Sequence, residues 1–227
     1  MTWQFPALPV RMSSVHELVF ATSNPAKLAQ MAYVIETSRA RVTLIAASER
    51  YGDQAAYAEQ GATPSAIVQR AALEVARRLG VAVLVEDTTF HVEALGGAPG
   101  VHAGKYLKEH GRAGILHSLR GNPHRVARIA SAACWATPDG DNQTWVTILR
   151  GVITMQEEWI EGAPEWVGPS ASNPLGGGYN AIFIPTHEKR TMAQITPREA
   201  LMRGYREPNF SAALHFVQSL PAPRVTL

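Results

Sequence analysis

The stretch Val85-Glu-Asp-Thr-Thr-Phe-His-Val-Glu-Ala-Leu-Gly-Gly-Ala-Pro-Gly100 joins an apolar run to a segment rich in glycine and proline. The apolar residues 81–85 predict a buried strand. The glycines and the proline of residues 94–100 predict a loop directly downstream. A buried strand that leads into such a loop is typical of an α/β fold, in which loops carry the functional side chains.

Two carboxylates lie at the predicted end of this strand. Glu86 and Asp87, followed by the hydroxyls of Thr88 and Thr89, suit a hard cation such as Mg²⁺ that is held by few protein ligands and by substrate phosphates. We expect a further acidic ligand from a polar loop upstream, where Glu59 is the candidate. The alternative is that the two strand-end carboxylates only form caps or ion pairs at the edge of a sheet.

A second polar motif, Thr22-Ser-Asn-Pro-Ala-Lys27, follows another short apolar run. Pro25 is typical of the first turn of a helix, whose unpaired backbone N–H groups attract anions. The side chains of Thr22, Ser23 and Asn24 can donate hydrogen bonds to phosphate oxygens, and Lys27 adds a cation one turn later. The alternative is an ordinary helix cap beside a solvated lysine.

The hydrophobic pattern of the remaining chain predicts alternating strands and helices. Turns such as Pro-Asp-Gly separate the later strands and indicate an antiparallel section. The fold class is therefore α/β, with a mixed central sheet flanked by helices. The predicted strands are 17–22, 42–46, 81–85, 128–137, 144–153, 157–160 and one near 183, and the predicted helices are 26–36, 63–80, 111–120, 197–205 and 211–220.

Composition excludes several classes of protein. The 227 residues are 46% hydrophobic and 18% charged, which rules out a disordered chain, and a net charge of +2 does not favour a nucleic-acid partner. No apolar run approaches the roughly 20 residues of a membrane-spanning helix, so we expect no membrane partner. The single cysteine, Cys134, favours a cytoplasmic location. We expect residues 1–12 to be a loose leader and residues 13–227 to form a single domain.

Taken together, these motifs resemble the inosine triphosphate pyrophosphatase family. The family motif Thr-Gly-Asn-x-x-Lys is matched by Thr22-Ser-Asn-Pro-Ala-Lys27, and Glu-x-Gly-x-Thr by Glu59, Gly61 and Thr63. The acidic strand end with its Leu-Gly-Gly-x-Pro-Gly loop is matched by residues 85–100. The resemblance covers almost the whole chain after Met12.

The resemblance implies an elongated domain with a deep cleft between two lobes, in a homodimer. Family members use Mg²⁺ to hydrolyse a nucleoside triphosphate to the monophosphate and pyrophosphate. It further implies that Asp87 activates water or holds the metal, that Glu59 and Glu86 complete the acidic set, and that Lys27 with the Asn24 loop binds the phosphate tail.

This chain departs from the family in the helix after Thr63. Ungapped counting places Ala66, Ile67 and Ala71 where the family has Glu, Asn and Lys. A lysine that contacts phosphate is thereby lost, and Arg70 or Lys105 are alternative sources of the cation.

A second group of departures lies at the base pocket. The family's Gly-Phe-Gly-Tyr/Trp-Asp-Pro becomes Gly176-Gly-Gly-Tyr-Asn-Ala181, and Ser-His-Arg becomes residues 204–206, Gly-Tyr-Arg. A stacking phenylalanine is lost, and an amide that both donates and accepts replaces a carboxylate. The candidate substrate contacts, beside the first loop and Thr88, are Gly178, Tyr179, Asn180, Tyr205 and Arg206.

The sequence thus predicts an Mg²⁺-dependent nucleoside triphosphate pyrophosphatase whose base specificity differs from inosine and xanthosine triphosphate. One alternative is a catalytically weak nucleotide-binding homodimer, motivated by the residues lost after Thr63. Another is the related pyrophosphatase family that acts on pyrimidine and modified nucleotides. Its first-loop signature, Ser-x-Ser-Pro-Arg-Arg, differs from the motif present here.

Overall fold

A computed structural model describes residues 15–221, so the predicted leader at residues 1–12 lies outside the described residues. Within that range, seven strands form one mixed sheet flanked by helices, as the sequence predicts. The strands are β1 His16–Phe20, β2 Val42–Ala46, β3 Val83–Val92, β4 Pro99–Gly100, β5 Val126–Ala136, β6 Asn142–Ile153 and β7 Phe183–Pro185. The helices are α1 Pro25–Ser38, α2 Ala47–Tyr51, α3 Pro64–Leu79, α4 Ala103–Ser118, α5 Pro197–Arg203 and α6 Glu207–Ser219.

Within residues 15–221, one edge of β3 has no partner strand along its middle residues. The sheet runs β2-β1-β3-β5-β6-β7, with β1 parallel to both β2 and β3 and with antiparallel pairing from β3 to β7. On one edge, β3 pairs with β1 at Val83 and Leu84 and with β4 at Phe90 and His91. Among the described strands, residues 85–89 therefore pair only with β5. This open edge faces the cleft.

Standard capping signals define the two helices that border the cleft. The Asn24 side chain accepts a hydrogen bond from the Ala26 amide at the start of α1, and Thr63 caps α3 in the same way. Gly80 ends α3 in the left-handed conformation, with φ of 68°. No helix among residues 15–221 combines the length and the apolar content needed to cross a membrane.

The apolar core is divided into clusters on either side of the cleft. Two clusters cover the opposite faces of the sheet around β1 and the first half of β3, one beneath α3 and the other beneath α1 and α6. A third cluster joins the end of β3 to α4 and to the loops before β7. The molecule therefore has two lobes, which share β3, β5 and β6.

Three predicted element boundaries were wrong. The strand predicted to end at residue 85 continues to Val92, because Glu86 and Asp87 are buried within the sheet and the whole stretch pairs with β5. Helix α4 begins at Ala103 rather than near residue 111, since Gly111, with φ of 61° and ψ of −173°, kinks a helix that starts earlier. Residues 157–160 are not a strand; they lie in a segment without regular structure after β6.

Candidate active site

A cavity of about 1020 Å³ lies between the two lobes, beside the open edge of β3. Its volume is at the upper end of the range typical of ligand pockets. One end is lined mostly by polar groups, and the other by aromatic, apolar and glycine residues together with the charged side chains of Lys105, Lys108, Glu109 and Glu165. The polar end includes Thr22, Ser23, Asn24, Lys27, Glu59, Asp87 and Thr88, and the other end includes Phe90, Leu107, Trp166, Leu175, Gly176, Gly177, Gly178 and Tyr179.

Glu86 and Asp87 point to opposite faces of the sheet, because side chains alternate along a strand. The Glu86 side chain is fully buried on the face beneath α1 and α6. There its Oε1 accepts hydrogen bonds from Thr88 at 2.7 Å and from Ser131 at 2.8 Å. Its Oε2 lies 3.0 Å from the Lys27 ammonium. Glu86 is therefore held through hydrogen bonds to Oε1 and through the charge of Lys27 beside Oε2, which has no hydrogen-bond partner of its own among residues 15–221.

The charges around Glu86 keep it ionised. Burial alone would raise the pKa of Glu86, but Lys27 and Arg206 outweigh burial and lower it to about 2. Lys27 also donates to the Glu86 backbone carbonyl at 2.9 Å, on the open edge of β3. Arg206 Nε lies 3.3 Å from Glu86 Oε1 and donates to Thr88 at 3.1 Å. The carboxylate thus anchors two cations at the rim of the cavity.

Asp87 has the opposite environment. Burial, which is the largest effect, together with the charges of Glu86 and Glu59 raises its pKa to about 7, although Lys27 acts in the other direction. Its buried Oδ2 has no hydrogen-bond partner among residues 15–221. A buried carboxylate oxygen without a partner is costly unless a ligand or a metal completes it. Asp87 is therefore available for chemistry in the cavity.

A divalent cation fits two of the three predicted acidic residues. Asp87 has a free oxygen, and Glu59 is exposed and lines the same cavity. The described residues contain no group of three or more His, Cys, Asp or Glu side chains placed to hold a metal. Since Glu86 is used by Lys27 and Arg206, the predicted set of Glu59, Glu86 and Asp87 does not form one ligand group. Mg²⁺ commonly uses one or two carboxylates, with phosphates and water completing its shell.

The first loop lies where an anion could bind. Thr22 accepts a hydrogen bond from the Asn24 amide at 3.1 Å, and this contact shapes the turn between β1 and α1. The Asn24 side-chain oxygen caps α1, as the alternative interpretation anticipated. Ser23 and Asn24 are nevertheless exposed and line the cavity, and Lys27 is held at its rim by Glu86.

Two further cationic side chains line the cavity from α4, whereas the middle of α3 contributes none. Ala71 lies on the buried face of α3, and Arg70 is exposed but does not line the cavity. Lys105 and Lys108, which are exposed on α4, both line it. Of the two predicted replacements for the lost helix cation, only Lys105 therefore faces the site.

The apolar end of the cavity is built from aromatic rings and from backbone. Tyr179 stacks on Phe90 with ring centroids 4.2 Å apart, and its hydroxyl donates to the Ala103 carbonyl at 2.9 Å. Its ring is therefore fixed in the wall. Gly178, beside it, has φ of 61° and presents its backbone to the cavity.

The remaining predicted substrate contacts are engaged with the protein. Asn180 donates to the Val167 carbonyl at 2.9 Å and accepts from the Tyr205 hydroxyl at 3.1 Å. Tyr205 and Arg206 line the cavity, whereas Asn180 lies behind its wall. Arg206, held by Glu86 and Thr88, has its guanidinium 4.9 Å from the Tyr205 ring centroid.

Sequence reasoning missed several groups of this site. Ser131 on β5 binds Glu86, and Gln30 on α1 accepts from Arg206 at 3.4 Å. Tyr57 lines the cavity, and burial together with the charges of Asp87 and Glu59 raises the pKa of its hydroxyl. These residues belong to no motif, so only the three-dimensional structure brings them to the site.

The sequence profile described as the Ham1 family matches residues 18–211 of the chain. A dITP/XTP pyrophosphatase from an Exiguobacterium species is 30% identical over 195 residues, covering 84% of this chain and 91% of that protein. A dITP/XTP pyrophosphatase from Streptomyces avermitilis is 28% identical over 210 residues, covering 89% and 98%.

Solved structures share the same fold. The Staphylococcus aureus Ham1 protein superposes with a TM-score of 0.70 at 21% identity, covering 89% of this chain and 98% of that one. A Mycobacterium abscessus structure described as a nucleoside-triphosphatase and dITP/XTP pyrophosphatase gives 0.62 at 26% identity, covering 87% and 98%. These similarities confirm the predicted mixed α/β fold class and extend over both lobes.

Proposed function

The chain belongs to the Ham1 family, and from this premise we infer that it is a nucleoside triphosphate pyrophosphatase, a hydrolase that releases pyrophosphate and a nucleoside monophosphate. The observation that carries this inference is Asp87. The Asp87 carboxylate has a free Oδ2 and a pKa of about 7. It lies in a cavity whose polar end is also lined by Lys27 and Glu59. A base with a pKa close to neutrality is well suited to take a proton from water.

We propose that the residues divide the reaction as follows. Asp87 Oδ2 accepts the proton of a water molecule that attacks the α-phosphorus, and the bond from that phosphorus to the bridging oxygen of pyrophosphate breaks. The Lys27 ammonium and the hydroxyls of Thr22, Ser23 and Thr88 bind and orient the phosphate chain. Lys105 and Lys108 supply further positive charge from α4.

We propose Mg²⁺ as the cofactor, held by Glu59 and by the phosphates of the substrate, beside the Asp87 carboxylate. When bound, the ion supplies positive charge that offsets the charge of the phosphate oxygens and of the leaving pyrophosphate. Support comes from the hard carboxylate oxygens of Glu59, which lines the same cavity as Asp87. Glu86 would act indirectly, because it holds Lys27 and Arg206 in place.

We further propose that the preferred nucleobase is not hypoxanthine or xanthine, the bases of inosine and xanthosine triphosphate, and that it lies at the apolar end of the cavity. Residues 176–178 line this end with backbone alone and lack the stacking phenylalanine of the family motif. The polar groups of Asn180 and Tyr205 satisfy each other instead of facing a base. Buried polar partners of this kind discriminate strongly between bases, so their rearrangement favours a changed specificity.

Pyrophosphate release from a panel of standard, deaminated and modified nucleoside triphosphates tests these proposals. The wild-type chain with Mg²⁺ should turn over at least one class of base, and Asp87→Asn should abolish that turnover. If only inosine and xanthosine triphosphates are hydrolysed, the changed specificity is wrong while the enzyme class stands. No release from any triphosphate would contradict the enzymatic function.

One observation favours a second candidate, a catalytically weak nucleotide-binding homodimer. The face of α3 that contains Ile67 and Ala71 is apolar and buried, so this helix contributes no cation from those positions. In that case Asp87→Asn would leave nucleotide affinity nearly unchanged and there would be no turnover to lose. The same panel therefore separates the two candidates.

We also propose that the chain forms a homodimer through the outer face of β6. Val146, Ile148 and Val152 are each about half exposed on one side of this strand, with 47%, 52% and 44% of their surface accessible. Exposed apolar stripes of this kind often mark protein interfaces. A cytoplasmic location is proposed as well, supported by the buried, unpaired thiol of Cys134.

A further inference from the structure

Arg112 is a buried cation behind the glycine wall of the cavity. Only 3% of its side chain is exposed, and it does not line the cavity itself. Gly111 adopts the left-handed conformation immediately before it, and α4 changes direction at that point. The kink places Arg112 at the beginning of the second half of the helix.

The guanidinium of Arg112 holds the wall through its backbone. Its Nη1 donates to the carbonyl of Gly178 at 2.7 Å and to that of Gly176 at 3.3 Å, and its Nη2 donates to the carbonyl of Pro174. The planar guanidinium can satisfy several carbonyls in a fixed geometry, which a lysine cannot do. Glu157 accepts from Nε at 2.6 Å and balances the charge.

The opposite side of the same segment is also confined. A Cβ atom added to Gly176 would collide with the Gly168 carbonyl, and one added to Gly177 would collide with the Val167 carbonyl. The segment is therefore clamped between the backbone of residues 167–168 and the Arg112 guanidinium. The conformation of its three glycines depends on hydrogen bonds to their backbone, since they have no side chains that could anchor them.

We propose that Arg112 is a positioning residue that sets the base subsite by fixing residues 174–178. This rests on the proposed function, in which the phosphates occupy the polar end of the cavity and the base the apolar end. Arg112 acts through the wall, and none of its hydrogen bonds reaches Glu59, Asp87 or the first loop. Loss of Arg112 should therefore weaken recognition of the nucleoside while leaving binding of pyrophosphate intact.

The chain offers a matched control in Arg125. This arginine also donates to three backbone carbonyls, those of Ile153 at 2.8 Å, Leu119 at 3.0 Å and Thr154, but it does not line the cavity or contact its wall. Arg125→Gln removes a comparable set of hydrogen bonds elsewhere in the same lobe. Any effect common to both variants reports general destabilisation.

The test measures binding by calorimetry for two kinds of probe, inorganic pyrophosphate and the 5′-monophosphates of inosine, guanosine and uridine. Arg112→Gln should weaken the best nucleotide at least tenfold and leave pyrophosphate within twofold, and Arg125→Gln should change neither. Where turnover is measurable, KM for the triphosphate should rise tenfold with kcat within threefold. Arg112→Lys keeps the charge but can reach fewer carbonyls, so it should show an intermediate loss of nucleotide affinity. This variant replaces Arg112→Gln in the test if the glutamine variant does not fold.

Equal weakening of pyrophosphate and nucleotide would overturn the proposal, as would unchanged nucleotide affinity in both Arg112 variants. Binding without turnover in the wild-type chain would contradict the pyrophosphatase function while leaving this test intact. A wild-type chain that binds pyrophosphate but none of the nucleotides would overturn the base subsite itself.

Discussion

Glu86 and Asp87 are consecutive residues of β3, yet their environments move their pKa values in opposite directions, to about 2 and about 7. Alternation along the strand separates them: Glu86 meets Lys27 and Arg206, and Asp87 meets the cavity without a partner for its Oδ2. One carboxylate therefore organises charge while the other is left reactive. Pairs of acids with divided pKa values are a recurring feature of acid–base sites.

The raised pKa of Asp87 predicts a pH-dependent stability in the absence of metal. Because the folded pKa of about 7 exceeds the ordinary aspartate value of 3.8, this group contributes stability below the lower value and loses it as pH rises through the higher one. Asp87→Asn should therefore unfold at a higher temperature than wild type at about pH 8 and at nearly the same temperature below about pH 4. Thermal unfolding in a chelator measures this. A variant less stable at both pH values would contradict the buried, partnerless carboxylate.

Removal of Glu86 leaves two cations without their counter-ion. Glu86→Gln should lower the free energy of unfolding at neutral pH by about 3 kcal/mol, since breaking a buried ion pair exposes its desolvation cost. The pKa of Glu86 is depressed, so this contribution is present above 4.5 and disappears as pH falls through about 2. Denaturant titrations at neutral and acidic pH test the sign.

The exposed pair of Arg50 and Glu17 supplies the control for that experiment. Glu17→Gln should cost less than about 1 kcal/mol. If Glu86→Gln and Glu17→Gln lower the free energy of unfolding by the same amount, the buried ion pairs of Glu86 contribute no more than an exposed pair.

Glu59 and Asp53 both line the cavity, but only Glu59 is proposed to hold the metal. Glu59→Gln should weaken the apparent Mg²⁺ affinity by at least about tenfold, because a hard cation loses one anionic ligand. Asp53→Asn should leave it within a factor of about two. The Mg²⁺ concentration that gives half-maximal rate measures both variants. Equal effects would remove the distinction between the two acids.

The lysines of α4 should replace the cation missing from α3. Alanine at both Lys105 and Lys108 should raise KM for the triphosphate by about tenfold, equivalent to ~1.4 kcal/mol of binding free energy. Arg70→Ala, which removes a cation outside the cavity, should leave KM unchanged. Steady-state kinetics at low salt provide the comparison, and a dominant effect of Arg70 would reverse the assignment.

The dimer proposal depends on the apolar face of β6. Lysine at both Val146 and Ile148 should give a monomer, because a two-fold interface would bring the new charges together with those of the neighbouring Arg128 and Arg150. Met202→Lys, an exposed apolar site on α5, is the control. Sedimentation equilibrium reports the outcome. A wild-type monomer, or a dimer unaffected by the two lysines, would contradict this interface.

Much of the fold could be predicted from the sequence. The family, the enzyme class and the mixed α/β fold agree with the comparisons, and the antiparallel pairing of β5 with β6 follows from turn signals between apolar runs. The end of β3 could not be predicted from hydropathy, because hydropathy scales treat carboxylates as exposed. They do not take into account Lys27 and Arg206, which pair with Glu86 and allow it to be buried. Helix α4 was obscured by Gly104 and Gly111, which weaken its pattern.

The site was predictable only in part, for a related reason. Motifs identify residues that are close in the chain, such as the first loop and the acid pair. Arg112 lies more than sixty residues from the glycine wall that it holds, and Ser131 lies 45 residues from Glu86. A lone arginine or serine carries no signal of such contacts. The assigned roles of Glu59, Asp87 and Lys27 in catalysis stay predictions.

The uninterrupted course of β3 through both lobes also bears on how the protein unfolds. Its first residues pair with β1 and its last with β4, while β5 accompanies it along its whole length. Unfolding of the core in either lobe would break hydrogen bonds of β3, and the core of the other lobe also packs on this strand. The cleft thus divides the surface of the molecule, but the shared strand leads us to expect that the two lobes unfold in one cooperative transition.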